Sequence, residues 1–408
     1  MRDFIQLLRQ QAPLLGFGAL FCFTSSFGQT FFIAVFGGAI RDAFAIGHGT
    51  FGAAYSAATL ASAITLIWLG KLVDRMDASR LAILVVVGLA LAALLMSLAQ
   101  GLLTLAIAFY GLRLMGQGMA SHIAVSTMAK RFAAARGRAI SIATLGMPLS
   151  EIVMPPVAVL ALDLGWRWGW RAFAALLLLA ILPALLGLLR RAERRPMVEE
   201  PGRGAPTQPV RSRRQSEVLR DPRFWLLLPG LLAGPAIVTG IFFHQVHVVA
   251  AKGWSLGLFA SSFAVYAAGS VTSSLLSGWL VDKLGARRPL LFFPVLLTLG
   301  CLMPGLGQSF VLAILLMLLF GIVSGGQSTT VNALWAELYG TDHIGAIRSL
   351  AMALAVFGSA LSPIVFGALF DLGVSVEALV LGCALYAALS GLLFIPALRP
   401  QAQAEPAL

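Results

Sequence analysis

Apolar residues dominate this chain in long unbroken runs, and the polar residues between them come in short clusters. Twelve runs stand out, at 14–36, 48–69, 81–99, 102–128, 139–162, 171–189, 224–250, 256–278, 289–307, 309–334, 349–371 and 375–397. A lipid hydrocarbon core takes about 20 residues of helix to cross. Backbone polar groups find no water there, so each run is expected to be a helix. Twelve crossings put both termini on one side of the bilayer. The predicted fold class is an all-α membrane protein.

The polar breaks repeat. Gly278-Trp279-Leu280-Val281-Asp282-Lys283-Leu284-Gly285-Ala286-Arg287-Arg288 has a partial copy, Gly70-Lys71-Leu72-Val73-Asp74-Arg75-Met76-Asp77-Ala78-Ser79-Arg80, at an offset of 208 residues. The same offset carries Pro155 onto Pro363, Gly137 onto Gly345, Ser141 onto Ser349 and Asp163-Leu164-Gly165 onto Asp371-Leu372-Gly373. The chain therefore reads as a duplicated unit: a first six-helix bundle over 1–189, a linker over 190–223 and a second six-helix bundle over 224–408. The linker holds Pro196, Pro201, Pro206, Pro209 and Pro222 among ten arginines. It has no apolar face to bury and is expected to be a solvated tether.

Composition agrees with this pattern. Of 408 residues 59% are hydrophobic and 11% charged, with a mean hydropathy of +0.89, against about 25% charged residues in a soluble domain. The net charge of +12 is mostly topology. On the predicted spans, 24 Lys and Arg fall on the side of the termini, four fall on the other, and Arg113 lies within a span. The positive-inside rule makes the first side cytoplasmic, which predicts a multi-pass protein of the cell (inner) membrane with both termini inside. The run from Leu14 to Phe36 is too long for a cleaved signal sequence and reads as the first helix. No soluble domain or aromatic interleaving supports nucleic-acid binding. Cys22, Cys301 and Cys383 are scattered in apolar runs and read as small core hydrophobes. No cluster has metal-ligand spacing, no cofactor motif is present, and no nucleophile–base set suggests an enzyme.

Six plus six helices, joined by a basic loop and carrying G-x-L-x-D-[RK]-x-G-x-[RK]-[RK] between spans 2 and 3 of each half, resemble the major facilitator superfamily. The second copy matches at Gly278, Leu280, Asp282, Lys283, Gly285, Arg287 and Arg288. The first departs at Asp77 and Ser79 but keeps Gly70, Asp74, Arg75 and Arg80. The resemblance implies two pseudo-symmetric bundles and a transporter working by alternating access. It also implies that these loop residues latch the two halves in one state. Read physically, Gly70 and Gly278 are expected to allow close helix approach, and Asp74 and Asp282 to accept from a neighbouring helix end or the following base. Arg113-Leu114-Met115-Gly116-Gln117-Gly118 resembles the superfamily's R-x-x-x-G pattern in span 4, which implies proton or substrate handling. Gly146-Met147-Pro148-Leu149-Ser150-Glu151 does not match the G-x-x-x-G-P-x-x-G-G of the drug/proton antiporters. Gly165-Trp166-Arg167 and Ala360-Leu361-Ser362-Pro363 are distantly similar to the oxalate and monocarboxylate branch, although 256–277 and 350–370 lack that branch's basic residues.

Two full charges sit mid-span, Arg113 and Glu151. At 1.5 Å per residue each lies roughly 17–18 Å from its nearer counted membrane face. An ionisable group at that depth costs at least about 2.5–3.5 kcal/mol and is expected to face the bundle interior with a partner. The two are expected to interact directly or through water or solute, with Glu151 as the proton-titratable member; a permanent structural ion pair is the alternative. Gln117 shares the Arg113 face at i, i+4. Gln29, His244, His247, Tyr266 and Gln327 complete the candidate substrate and proton set. His244 and His247 read more readily as helix–helix hydrogen-bonding groups than as ligand contacts, and Tyr266 reads equally as a packing aromatic. Pro148, Pro155 and Pro156 are expected to break or bend span 5 around Glu151. The expected function is secondary active transport of a small organic solute, with a carboxylate among the candidates and protons as coupling ion. The alternatives are an efflux pump for amphipathic drugs and a non-transporting membrane sensor on the same scaffold.

Overall fold

The structure is a computed structural model and describes residues 2–132, 135–194, 214–340 and 342–399. Most of the basic linker, 195–213, lies outside the described residues. The described chain is helical, without strands. Eleven helices are long and apolar enough to cross a membrane, and a bent pair supplies a twelfth. The bent pair is α1, Gln11–Gly28 and Thr30–Phe44, at 49° to one another. The others are α2 His48–Asp74, α3 Ala78–Leu98, α4 Leu102–Arg131, α5 Arg136–Asp163 and α6 Trp166–Glu193, then α7 Pro222–Phe243, α8 Leu256–Leu284, α9 Arg287–Gly305, α10 Phe310–Tyr339, α11 Ile344–Asp371 and α12 Val376–Ala397.

Differences from the expected spans have local causes. The first span runs on to Phe44 because it is broken at Gln29, whose backbone is extended (φ −82, ψ 149). The seventh stops at Phe243, since His244 leaves the helical region (φ −98, ψ 18) before a short turn of helix at Gln245–Ala251. In α5 the expected irregularity is made at one of the three prolines, Pro148, which stands in the first turn of the helix that restarts at Gly146. The irregularity falls at Leu145, and the helix then runs through Pro155 and Pro156. Prolines in spanning helices are tolerated where neighbouring groups re-satisfy the backbone.

Among the described residues two compact units form. The first gathers Met1–Pro206 with Thr239–Ala267 and Ala360–Gly373, so it includes parts of α7, α8 and α11. The second gathers Thr207–Val238, Ala268–Ser359 and Val374–Leu408. The core of the second is aromatic and aliphatic, with Phe224, Phe293, Trp335, Tyr339 and Phe394 all buried. In the first, Phe27, Phe32, Phe36, Trp170 and Phe173 form a chain of edge-on and tilted rings with centroids 5.1–6.1 Å apart.

The duplication is visible in the backbone. Gly165 and Gly373 follow α5 and α11 with the same positive φ, 84 and 83. The α2–α3 and α8–α9 loops have diverged. Gly285 turns at φ 74, which only glycine adopts readily. Its counterpart Asp77 is extended (φ −67, ψ 150) at the start of α3, so the two loops follow different paths. Their charges are exchanged as well. In the first copy the loop acid, Asp74, meets a helix base: Lys130 Nζ of α4 lies 2.7 Å from Asp74 Oδ1 and also donates to the Val73 carbonyl at 2.8 Å. In the second copy a loop base meets a helix acid. Arg287 Nε lies 2.9 Å from Glu337 Oε1 of α10, and Glu337 Oε2 accepts from the Ala286 amide at 2.8 Å.

Each of these contacts stays within its own half of the sequence. Asp282 has no ion-pair partner among the described residues, Lys283 lies over the Trp279 ring at 4.1 Å, and Arg80 reaches only its neighbour Asp77 at 3.8 Å. The expected close approach at Gly278 is absent, since a Cβ there meets nothing within 4 Å. At Gly70 the nearest group is the His122 ring, whose Nε2 is 3.2 Å from the Gly70 carbonyl.

These geometries predict unequal stabilities. Glu337 holds two partners and is 36% exposed, whereas Asp74 is 72% exposed with one ion-pair partner. Glu337→Ala is expected to cost about 1–3 kcal/mol, and Asp74→Ala clearly less, since solvent screens an exposed pair. Equal falls in the melting temperature of the two purified variants would refute the assignment.

Candidate functional site

The break in α1 is the centre of the candidate site. Thr24, Ser25 and Ser26 turn their hydroxyls back onto the carbonyls of Leu20, Cys22 and Phe23 at 2.6–2.7 Å. Such back-bonding competes with the helix ladder and bends it. The chain tightens into a narrow turn over Ser25–Gly28, becomes extended at Gln29 and restarts at Thr30. A break inside a spanning helix exposes carbonyls that lipid cannot satisfy.

Arg113 answers that need. Its guanidinium Nη1 donates to the Gly28 carbonyl at 3.0 Å, and its charge centre lies 5.2 Å from the centroid of the Tyr55 ring. The side chain is 5% exposed, and its Nε has no hydrogen-bond partner. A cation at the end of a helical segment is favoured by the segment's dipole, and an aromatic face adds attraction when both groups are desolvated. Arg113 is brought there by an unusual stretch of α4, Leu112–Ala120, which is wound as π-helix. Such turns are rare and recur at functional sites. The backbones of α1 and α4 touch at this point: a Cβ on Gly28 would sit 2.2 Å from the Leu112 carbonyl oxygen, and one on Gly116 2.6 Å from the Gly28 nitrogen. Gly116, three residues beyond Arg113, is thus the point of crossing.

Below the break, Thr30 Oγ1 and Tyr55 OH share a hydrogen bond of 2.8 Å. Tyr55 is fully buried. It therefore ties the restart of α1 to α2 through its hydroxyl and supports Arg113 through its ring. Tyr55 was missed in the sequence because one tyrosine in an apolar run has nothing to distinguish it from packing.

On the other side of the break stands α5. Met147 Sδ accepts weak hydrogen bonds from Ser25 Oγ at 3.6 Å and Gln29 Nε2 at 3.7 Å. Glu151 follows Met147 at i+4, one turn along the same face; it is half-buried. No ion pair joins Glu151 to Arg113 among the described residues. The direct pair expected from the sequence is thus not made, because a backbone carbonyl and an aromatic ring already take the guanidinium. What the structure does bring together is Arg113, Gln29 and Met147, around α1's break, with Glu151 a turn beyond. Gln117 is half-buried, its backbone packed against Gly28.

The remaining candidates lie elsewhere. His244 is buried and its Nε2 bonds the Pro363 carbonyl at 2.9 Å; His247 packs against His48 and Phe370, with ring centroids 4.5 and 4.4 Å away. Tyr266 is buried against Phe242 and Phe263. Gln327 belongs to the second unit, where its Nε2 donates to the Leu231 carbonyl at 3.2 Å. No group of His, Cys, Asp or Glu among the described residues has the arrangement of a metal site.

Three comparisons bear on the site. The sequence profile of the Major Facilitator Superfamily matches residues 18–347 and 245–408. The chain is 27% identical over 135 residues to the glucose transporter GlcP of Staphylococcus epidermidis, a stretch of 32% of this chain and 29% of that transporter's length. Its fold is similar to a bacterial homolog of the human lysosomal transporter Spinster, in an inward-facing and unoccupied conformation, with a TM-score of 0.71 and 16% identity over 96% of this chain and 97% of that one. It is also similar to the nucleoside transporter NupG, with a TM-score of 0.71 and 13% identity over 96% of this chain and 100% of that one.

The brace across the break can be measured. Thr30→Val and Tyr55→Phe each remove one partner of a buried hydrogen bond and are expected to cost about 1 kcal/mol. The double variant should cost barely more than either, a coupling of about 0.5–1.5 kcal/mol. Additive losses in a double-mutant cycle would show that the hydroxyls do not act together.

Proposed function

Because this chain belongs to the Major Facilitator Superfamily, a family of membrane transporters, we propose that it is a proton-coupled carrier of a small, neutral, hydroxyl-bearing solute. On this reading its halves, 1–189 and 224–408, rock about the break in α1, and the loop residues Gly70 to Arg80 and Gly278 to Arg288 help to hold one state. The protein sits in the cell membrane with its termini inside, following the basic residues. The lipid bilayer, the solute and the proton are its partners.

The observation that carries the reading is the separation of the two interior charges. Arg113 is occupied by Gly28 and Tyr55. Glu151 has no basic partner among the described residues and is the one Asp or Glu away from the ends of the described spans. A carboxylate in that position binds and releases a proton without breaking an ion pair, which suits it to coupling. Protonated on the acidic side of the membrane, it crosses as a neutral group; on the alkaline side it gives up the proton and completes a symport step.

The choice of solute follows from the same geometry. With its guanidinium engaged, Arg113 is a poor clamp for a carboxylate, which favours bidentate contact. Gln29 spends a donor on a thioether, a weak acceptor, and would exchange it readily for a solute hydroxyl. The likeness to a glucose transporter points the same way. The likeness to the oxalate and monocarboxylate branch has no counterpart in that relative. A carboxylate remains the second reading, carried by the free Nε of Arg113.

Proteoliposome uptake separates these readings. Glu151→Gln is expected to abolish concentrative, pH-driven uptake while leaving solute exchange within about threefold of native. Concentrative uptake that survives in Glu151→Gln would remove the coupling role. Competition by organic acids but not by sugars or nucleosides would replace the neutral solute with an anion.

A further inference from the structure

Within the first unit, one face of α2 changes character on its way to the α2–α3 loop. Ala63, Leu66, Ile67, Gly70, Lys71 and Asp74 follow one another at i, i+3, i+4, i+7, i+8 and i+11, which places them on a single stripe of the helix. The last turn, Gly70–Asp74, is wound more tightly, and residues three apart eclipse in such a turn, so Asp74 stays in line with Lys71. The stripe is apolar over its first three residues, bare at Gly70 and charged at its end.

His122 of α4 forms the facing wall, with its Nε2 3.2 Å from the Gly70 carbonyl. A carbonyl only accepts, so that nitrogen carries hydrogen. A Cβ on Gly70 would lie 3.3 Å from the same nitrogen, and its absence leaves the space between the two helices open. The stripe and His122 together line a cavity of about 420 Å³, within the range of about 300–1,000 Å³ that small ligands fill. Ile64, Ile67 and Trp68 are more than half exposed on a helix long and apolar enough to span. Apolar side chains left open there match acyl chains. The groove therefore has a tail end and a head end, with Ala63 and Lys71 about 12 Å apart along the axis.

The charge of the head end is decided by Lys130. Its Nζ lies 2.7 Å from Asp74 Oδ1, so the carboxylate is already answered by a cation of α4. Lys71 is exposed and makes no ion pair among the described residues. Lys71, Asp74 and Lys130 leave one net positive charge beside the apolar stripe. The second copy of the unit is built differently. At the 208-residue offset Leu66 becomes Ser274, which shares a hydrogen bond of 2.8 Å with Thr329. Lys71 becomes Trp279, whose ring carries Lys283 at 4.1 Å, and Lys130 becomes Leu338. That stripe ends in a covered ring and an acid, and not in a free cation.

We propose that the α2–α4 groove binds an anionic phospholipid, with an acyl chain along Ala63, Leu66 and Ile67 and the headgroup phosphate on Lys71. Every phospholipid brings a phosphate, but a headgroup with an amine adds a cation to an end that already has one to spare. The groove therefore selects a head of the glycerol type over one of the choline type. On the orientation drawn from the basic loops this end is cytoplasmic, and basic pockets between spanning helices on that side hold anionic headgroups. The site involves neither the solute nor Glu151, so its failure leaves the carrier reading untouched.

Native mass spectrometry of the full-length protein in detergent tests the site, with phosphatidylglycerol and phosphatidylcholine of identical chains in competition. The native protein is expected to retain phosphatidylglycerol about fivefold more tightly, and Lys71→Gln to remove that preference while leaving phosphatidylcholine unchanged. Ala63→Phe fills the tail end and should weaken both lipids. Asp74→Asn frees Lys130 and should strengthen phosphatidylglycerol binding about fivefold, a gain that a damaged fold does not produce. Equal retention of the two lipids by the native protein, or an undiminished preference in Lys71→Gln, overturns the site. Weaker phosphatidylglycerol binding in Asp74→Asn overturns the anionic headgroup, since the acid would then be what the head seeks. Inorganic phosphate in excess should not compete, and full competition overturns the lipid as occupant.

Discussion

A carbonyl exposed inside a membrane must find a donor, and the Gly28 carbonyl finds Arg113 at 3.0 Å. Much of the first unit is arranged to make that one bond possible. The hydroxyls of Thr24, Ser25 and Ser26 loosen α1. The π-helical stretch of α4 presents the arginine, and Gly28 against Gly116 lets the two backbones close to contact. Tyr55 supplies a face for the charge and a hydroxyl for the restarted helix. A lysine would carry the charge but not the planar fork that bonds a carbonyl while lying over a ring. Burying a cation is costly, and the cost is offset by ending a helical segment at a place where the path needs a bend.

The same arrangement explains why the deep acid stands apart. Opposite charges at one depth would attract if nothing else claimed them. The guanidinium is claimed by a carbonyl, and the acid on the facing side of the break makes no ion pair among the described residues. On the proposed reading, coupling between the two works through the position of α1, since movement of the broken helix changes what each charge meets.

The spans were legible because lipid leaves the backbone one option. An apolar run such as Ala78–Leu98 has to be helix whatever its neighbours do. The duplication was legible from Gly278, Pro363 and Asp371 standing 208 residues beyond their counterparts. The break in α1 was not, since no proline marks Gly28-Gln29 and the cause is a sum of weak hydroxyl bonds. Arg113 stood out as a charge, but its partner is a backbone atom, and sequence shows no backbone atoms as special. A carboxylate was the natural candidate because it is the partner a sequence can display. Glu337 and Asp371 escaped for a related reason. Each acts on amides of a distant segment, and neither is unusual as an acid near a helix end.

Duplication supplies two copies of each device, and the differences between the copies show where function has been added. Both loops keep a helix–loop ion pair, with the signs exchanged between Asp74–Lys130 and Arg287–Glu337. An exchange of that kind preserves stability while changing which groups are left over. At the other end the change is one of kind. Ser255 makes a cap that no movement of another helix can take away, while Gly47 makes a cap conditional on α11. The first amides of α2 are thus satisfied by a carboxylate of α11 and not by the residue that precedes the helix. Two identical halves would hold both ends with equal strength. The two copies part here at a single residue, Gly47 where the second copy has Ser255.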